Sequence, residues 1–468
     1  SGYDFKKYPV VTLTMTGRSD TEAKLTQTIV TELRRAARFN GLDEIEGINP
    51  GDMLKYLVDA LKSLTNERVA VLIDEYDAPI QSQIHNVQQA IENRRILHDF
   101  YSALKTLADN GQLRLLFVTG VTKFAQASIF SVFNNLSDLT MKPDYNGVCG
   151  FTMEEFDAYI AGYLPSILEW RKSNGFAEPG AAVQDLREQI LRYYDGYSWD
   201  GKSRVLNPFS LVQFLDGKEF DSFWFDTSTP TFLLEFIRQH PQQYVKTESP
   251  VLNKNSLKAT DVTALRLTPL LFQTGYLTIE RRIGEDRFSL RSPNLEVGEA
   301  LTTNLAAYLT GQDDENVITE LAAKIRAALG SFDSVALGAA FSQILKWISH
   351  QEQPALEGFH HALLFAVLKA LHFKVVSEVS ESEGRFDLLL LSTPGTAFIG
   401  EFKYEKFAPK PGEDNEPKRQ ELLATALDRA KKQIEYRRYD GRYRDEHPVV
   451  KRLAVGIVGK SDVLVEIY

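Results

Sequence analysis

The sequence predicts an α/β protein of more than one unit, on three observations. Val69-Ala70-Val71-Leu72-Ile73 is an unbroken apolar run that ends in Asp74-Glu75. Leu113–Val118 and Val10–Met15 are runs of the same kind. Near the C-terminus, two strand-like runs flank the turn Ser392-Thr393-Pro394-Gly395-Thr396, with Asp387 on one arm and Glu401-Phe402-Lys403 on the other. Unalternating strands suit a parallel sheet buried on both faces, whereas runs joined by turn residues read as a hairpin.

The 468 residues exceed what one core of roughly 250–300 residues holds, so about two to four units are expected. Apolar content of 43% and a charged fraction of 25% place the chain among ordinary globular proteins. No apolar stretch reaches about 18 residues, so no membrane span is expected. Ser1 to Lys7 lacks the apolar core of a signal peptide. One cysteine, Cys149, excludes an intramolecular disulfide and a cysteine-based zinc site within the chain, and it fits a reducing cytoplasm. Beside Gly150 it reads as a packed small residue rather than a nucleophile. A net charge of −10 argues against a chain that coats nucleic acid nonspecifically, but positive charge lining one groove stays compatible with it.

In the N-terminal half, ligands of a parallel sheet bind beyond the C-terminal ends of its strands, where Asp74 and Glu75 emerge. An Asp there holds Mg²⁺ and a Glu polarises the attacking water, which is the logic of a Walker B motif. Thr119, just past the Leu113–Val118 run, stands where a polar residue would meet a γ-phosphate. Asp74, Glu75 and Thr119 are therefore the candidate residues for ATP with Mg²⁺. The pattern G-x-x-x-x-G-K-[ST] is met once, from Gly196 to Ser203 with Lys202 as its lysine. It follows a helix rather than a strand and runs into Asn207-Pro208, so it reads as a chance match.

From about residue 151 to 243 the pattern turns helical, with Thr152 as a cap and a helix over Ala182 to Tyr194. Phe220, Phe223, Trp224 and Phe225 read as lid core. Residues 250–300 give a helix around Leu265–Gly275 and then two short strands, Tyr276–Glu280 and Arg287–Leu290, the outline of a winged-helix unit. Amphipathic helices fill 300–345, with Gly311 to Glu315 as a polar joint.

At the C-terminus, Asp387, Glu401 and Lys403 are the candidate catalytic set. On a hairpin this spacing brings two carboxylates and one ammonium to adjacent points, with Glu401 and Lys403 on one strand face and Phe402 on the other. An ordinary amphipathic strand alternates in the same way. Carboxylates can share a divalent metal, and a lysine can position a water beside it, which are the parts that phosphodiester hydrolysis needs. Upstream, Glu357-Gly358-Phe359-His360-His361 opens an apolar helix, followed by the strand Phe373–Val376. Downstream, Pro409 to Gln420 is a polar loop, Leu422 to Tyr439 a helix with Lys431, Lys432, Gln433, Arg437 and Arg438, and Leu453–Val458 a last strand. The stretch Arg429 to Arg444 interleaves arginines with Tyr436, Tyr439 and Tyr443, a pattern suited to phosphate contacts and base stacking and equally to a solvated helix face. His360 and His361 point about 100° apart on a helix, so at most one faces the site, and no zinc site is expected.

Helix, strand, strand with Asp387, strand with Glu401-x-Lys403, basic helix, strand: over about residues 345–468 this succession resembles the PD-(D/E)XK nuclease superfamily. It is closest to the nuclease-like domain of bacterial proteins that carry an AAA-ATPase-like domain in front. The blocks Val118 to Phe124, Ser128-Ile129-Phe130-Ser131, Asn134-Asn135-Leu136, Cys149-Gly150-Phe151-Thr152, Tyr194-Asp195-Gly196-Tyr197 and Asn207-Pro208-Phe209-Ser210 are similar to that ATPase-like family, over about residues 5–290. The resemblance implies that Asp387 and Glu401 bind Mg²⁺ or Mn²⁺, that Lys403 is catalytic, and that Glu357 orients a metal-bound water. It implies that Gln433 and Tyr439 face nucleic acid, with Lys432 and Arg437 beside them. Phe386 replaces the nominal proline. The family's glycine-rich Walker A loop belongs upstream of the Val10–Met15 strand, and nothing of the kind precedes Val10 here. ATP binding is therefore expected only where that segment is present.

The resulting organisation is an AAA-ATPase-like P-loop-type core at 1–150, a helical lid at 151–245, a winged-helix-like unit at 246–300, a helical linker at 301–345 and a PD-(D/E)XK nuclease-like domain at 346–468. The expected function is a metal-dependent nuclease acting on DNA and regulated by the ATPase-like module, with a homo-oligomer compatible. The alternatives are an ATP-responsive switch that binds nucleic acid without cutting, and an interaction scaffold.

Overall fold

Three parallel strands, β1 (Val10–Thr14), β2 (Val69–Asp74) and β3 (Leu113–Val118), form the first sheet in the order β1-β2-β3. The chain is seen in a computed structural model that describes residues 6–122, 136–224, 231–240, 243–244, 250–258, 265–311, 315–347, 357–381, 384–392, 395–409, 412, 414–437, 443 and 447–468. Helices Glu22–Phe39 and Pro50–Thr65 connect β1 to β2, and Val87–Asp109 leads into β3. Each starts on a side-chain cap: Thr21, Asn49 and Asn86 accept the amides of Lys24, Asp52 and Gln89. Val11, Leu13, Val71 and Ile73 bury one sheet face against Leu25, Ile29, Leu54 and Leu57. The expectation of a fully buried strand at Leu113–Val118 is corrected. β3 lies at the edge of the described strands, and Leu115 and Phe117 are 50% and 45% exposed.

These elements belong to a unit of Ser1–Cys149, Ser198–Arg204 and Val251–Leu290. Its second sheet joins β4 (Val251–Asn253), β5 (Thr278–Ile283) and β6 (Arg287–Arg291) in the order β4-β6-β5, with helix Leu267–Gln273 feeding β5. The stretch 198–204 is a turn tied to this sheet: the Ser198 amide donates to Thr278 Oγ1 at 2.7 Å. Inside it Asp200 accepts the amides of Lys202 and Ser203 at 2.7 and 2.9 Å. The amides that a phosphate loop would offer are thus already taken by a carboxylate, as expected of a chance match. Cys149, expected to be packed, is exposed.

The other unit comprises Gly150–Tyr197, Val205–Pro250 and Arg291–Tyr468. A capping box between Thr152 and Glu155 starts its helical part. Helices Leu164–Ser173, Val183–Tyr194 and Pro208–Gly217 close over Phe156, Ile190, Tyr194 and Phe214, with Phe220 and Phe223 packed against them. Phe225 and residues 312–314 of the polar joint lie outside the described residues. Helices Leu295–Thr310, Glu315–Ser331 and Ser334–Trp347 lead to helix Glu357–Ala370.

A five-stranded mixed sheet follows: β7 (Lys374–Glu381), β8 (Gly384–Ser392), β9 (Thr396–Glu405), β10 (Val449–Val458) and β11 (Asp462–Ile467), in the order β11-β10-β9-β8-β7. Only β9 and β10 pair in parallel, and helix Glu416–Arg437 makes that crossover. Two expectations are corrected here. The helix begins at Glu416 rather than near 422, because Pro417 falls in the first turn, where its missing amide costs nothing. The Leu453–Val458 segment is not the last strand, since β11 returns antiparallel to it after a turn with Gly459 at φ 61.

Candidate functional site

β9 carries two of the three candidate residues, Glu401 and Lys403. Alternation sends Glu401 and Lys403 to one face of the strand and Phe402 and Tyr404 to the other. The even-numbered face packs on helix Glu357–Ala370: His361 tilts against Phe402 with ring centroids 5.1 Å apart, and His360 stacks on Tyr404 at 4.8 Å and 15°. Both histidines are buried in this packing. The odd-numbered face lies under helix Glu416–Arg437. Beside Glu401 and Lys403, β10 places Ala454 and Gly456. A Cβ at Gly456 would come within 2.8 Å of the Leu427 amide nitrogen, so only glycine lets the helix approach this closely.

The register Leu388 with Gly400 brings Asp387 on β8 beside this part of β9. The Phe402 amide donates to Asp387 Oδ2 at 2.9 Å. Lys403 Nζ donates to the Phe402 carbonyl at 2.8 Å and to Glu401 Oε1 at 3.0 Å. One residue, Phe402, thereby holds Asp387 through its N–H and Lys403 through its C=O, and Lys403 in turn holds Glu401. Glu401 is 0% exposed and Lys403 9%, so the ion pair is almost removed from water. Such a pair persists only when geometry and further hydrogen bonds compensate its desolvation.

Among the described residues no cluster of three or more His, Cys, Asp or Glu side chains is placed to hold a metal. Asp387 and Glu401 supply two carboxylates. Glu357 opens its helix, but its side chain is outside the described ones. Oxygen donors of this kind fit a hard divalent cation such as Mg²⁺ or Mn²⁺ rather than a soft metal. The buried Glu401 already accommodates one positive charge, so the residues present fit the implied ion.

Of the residues expected to meet nucleic acid, Gln433 is half-buried and Lys432 is exposed, paired with Asp428 at 2.6 Å. Both line a shallow depression with Glu435 and Tyr436, whose ring is 87% exposed. Arg437 ends the helix with its side chain outside the described ones, and Tyr439 lies outside the described residues.

At the end of β2, Thr119 Oγ1 donates to Asp74 Oδ1 at 2.5 Å. Glu75 follows in the left-handed region, at φ 54, where a side chain other than glycine is strained. Burial, then the charges of Asp77 and Asp74, hold its carboxyl above the usual range. Asp77 was not singled out from the sequence, yet it is the fully buried anchor of this corner. Its carboxylate accepts the amides of Val121 at 3.1 Å and Thr122 at 2.6 Å, and the Thr122 hydroxyl. Gly120 is required in that turn, because a Cβ there would come within 2.3 Å of Asp77 Oδ1. The local signal was a third acidic residue three places after Asp74, ahead of Ala78-Pro79.

The family described as predicted AAA-ATPase matches residues 2–130, which contain Asp74, Glu75 and Thr119. The PD-(D/E)XK nuclease superfamily matches residues 355–467, which contain Asp387, Glu401 and Lys403. The chain thus has an AAA-ATPase-like N-terminal region and a C-terminal domain of the PD-(D/E)XK nuclease superfamily. A curated relative, described as an uncharacterized protein in the vnfD 5′ region of Azotobacter chroococcum mcd 1, is 32% identical over 351 residues. The match covers 73% of this chain and 63% of the relative, so the chain spans less than two thirds of that relative's length. No solved structure matches the chain.

Proposed function

We propose that the C-terminal domain is a metal-dependent nuclease acting on DNA, and that the AAA-ATPase-like region regulates it. The observation that carries this reading is the Asp387–Phe402–Lys403–Glu401 arrangement, in which the backbone of one residue, Phe402, fixes both a carboxylate and the ammonium. Asp387 and Glu401 would hold Mg²⁺ or Mn²⁺, which when bound supplies phosphoryl polarisation and a nucleophilic water at neutral pH. Lys403 offers a compact positive charge to the scissile phosphate. Glu357, from the opening turn of its helix, orients the water. Gln433, Lys432, Arg437 and Tyr439 contact the nucleic acid along the Glu416–Arg437 helix and just beyond it.

In the ATPase-like region Asp74 and Thr119 are the nucleotide-sensing pair and Glu75 the residue that polarises water, in a protein that also contributes a phosphate-cradling loop. The retained Thr119–Asp74 contact favours a second reading, an ATP-responsive switch whose C-terminal domain binds nucleic acid without cutting.

The test is cleavage of linear, circular and single-stranded DNA with Mg²⁺ or Mn²⁺, beside an EDTA control and Lys403→Ala. Metal-dependent cutting that falls by about two orders of magnitude or more in the variant is expected, the scale of losing one charge-stabilising group. Absence of cutting on every substrate would turn the assignment to the switch.

A further inference from the structure

We infer that Lys403 is the resident counter-cation of Glu401, and that a divalent ion entering the site displaces its ammonium and thereby hands it to the substrate. The inference rests on the proposed metal site and adds to it an order of events: ion first, then phosphate.

The starting point is the company Glu401 keeps. Its side chain is 1% accessible, and Lys403 Nζ stands 3.0 Å from Oε1. A carboxylate this deeply buried is not stable as an isolated charge. Lys403 brings a positive charge directly against it. A divalent ion bound to Asp387 and Glu401 brings a stronger positive charge to the same carboxylate. Two cations on one buried anion repel strongly where water cannot screen them. The ammonium is the one that can leave, because it belongs to a flexible four-carbon stem with three donors.

The surroundings give it a route. The Lys403 side chain is 11% accessible where that of Glu401 is 1%, so the ammonium is the solvent-side member of the pair. Its second partner, the Phe402 carbonyl at 2.8 Å, is neutral and is independent of the ion. A lysine held by that carbonyl can release Glu401 without losing every contact. Asp387 is fixed separately, by the Phe402 amide at 2.9 Å, so the exchange does not dismantle the other carboxylate. Once off Glu401, the ammonium has lost the carboxylate it was paired with, and a phosphate of the substrate is an anion that can take that place. Before the ion binds, the same charge is spent internally. Substrate affinity and ion loading are therefore coupled through one side chain.

Two measurements on the intact chain test this. The first is a pair of crystal structures, ion-free and soaked with Mn²⁺, whose site is located by anomalous scattering. The expected result is Mn²⁺ on Asp387 and Glu401 with Lys403 Nζ farther than about 4 Å, the ion-pair limit, from Glu401. Mn²⁺ on both carboxylates with Nζ still on Oε1 would overturn the exchange while leaving the metal site intact. The second is calorimetric titration of Mn²⁺ into wild type, Lys403→Met and Lys403→Gln, the last in case the first does not fold. Binding at least about tenfold tighter in the variants supports competition by the ammonium, and equal binding refutes it. No Mn²⁺ binding to wild type or either variant would remove the metal reading itself. A duplex titrated in Ca²⁺ completes the set: Ca²⁺ should raise the affinity of wild type and leave Lys403→Met unchanged, and an equal gain in both would refute the hand-over.

Discussion

At the scale of single residues, two buried acids do structural work, one of them beside a candidate site. Asp77 holds three donors of the Val121–Thr122 turn and so keeps Thr119 against Asp74. Asp77→Ala leaves the Val121 and Thr122 amides without that acceptor, at a cost of about 1–3 kcal/mol for the buried Thr122 amide. Its melting temperature should fall clearly, while Asp74→Ala, on an exposed residue, should melt close to wild type. Glu296 is the other case, fully buried, with Oε1 accepting from Ser210 Oγ at 2.7 Å and the Trp224 amide at 2.8 Å. Burial raises its carboxyl to about 7, opposed by those two hydrogen bonds and helped by the charge of Asp221. An acid whose folded value lies above its unfolded one holds an extra proton in the native state, so its contribution weakens as pH rises from about 4.5 through about 7. Wild type should lose melting temperature between pH 5 and pH 8 relative to Glu296→Gln, whose amide does not titrate. Parallel melting profiles for the two proteins would contradict this.

At the scale of elements, the position of the Glu416–Arg437 helix decides whether Glu401 and Lys403 stay buried. Its closest approach is to Gly456, where a Cβ would meet Leu427 N at 2.8 Å, Leu423 O at 3.0 Å and the Ala426 Cβ at 3.2 Å. Backbone atoms cannot step aside as side-chain ends do, so Gly456→Val should lift the helix, with an overpacking cost of about 1–3 kcal/mol. A lower melting temperature and impaired cleavage are both expected. An unchanged melt would mean that the helix is not held there. Most of these elements could be read from the chain itself, because their signals are local. Apolar runs mark β1 and β2, and the Ser392–Thr396 turn between two runs puts Asp387 across from Glu401-x-Lys403. What escaped was set by distant partners. Asp77 meets donors 44 and 45 positions away, and Glu296 meets Ser210 across 86. β3 has the composition of a central strand, and its exposure follows from its place at the edge of the described strands.

At the scale of the molecule, chain order and packing order differ, and this bears on how the nuclease-superfamily domain is cut out. The superfamily match begins at residue 355, yet the described packing of that sheet starts earlier. Helix Ser334–Trp347 lies along β11: the Ile467 amide donates to Ser334 Oγ at 2.9 Å, and Ser342 Oγ donates to the Ser461 carbonyl at 2.7 Å. A Cβ at Gly338 would lie 3.6 Å from Val465 Cγ2, ordinary contact distance, so the helix backbone runs about one methyl group away from the strand. Leu337, Phe341, Ile344 and Leu345 of this helix are fully buried. Side chains of this kind contribute on the order of 1.5–3 kcal/mol each when buried, and domains are stable by only about 5–15 kcal/mol in total. A fragment of residues 346–468 exposes the surface those four side chains cover and loses both hydroxyl contacts, whereas a fragment of residues 291–468 keeps them. The shorter fragment should therefore unfold at lower temperature and denaturant concentration and aggregate sooner, even though it contains Asp387, Glu401 and Lys403. Equal unfolding midpoints in a side-by-side urea titration would show that the Ser334–Trp347 helix is dispensable, and that the sheet holds the hairpin of Asp387, Glu401 and Lys403 without it.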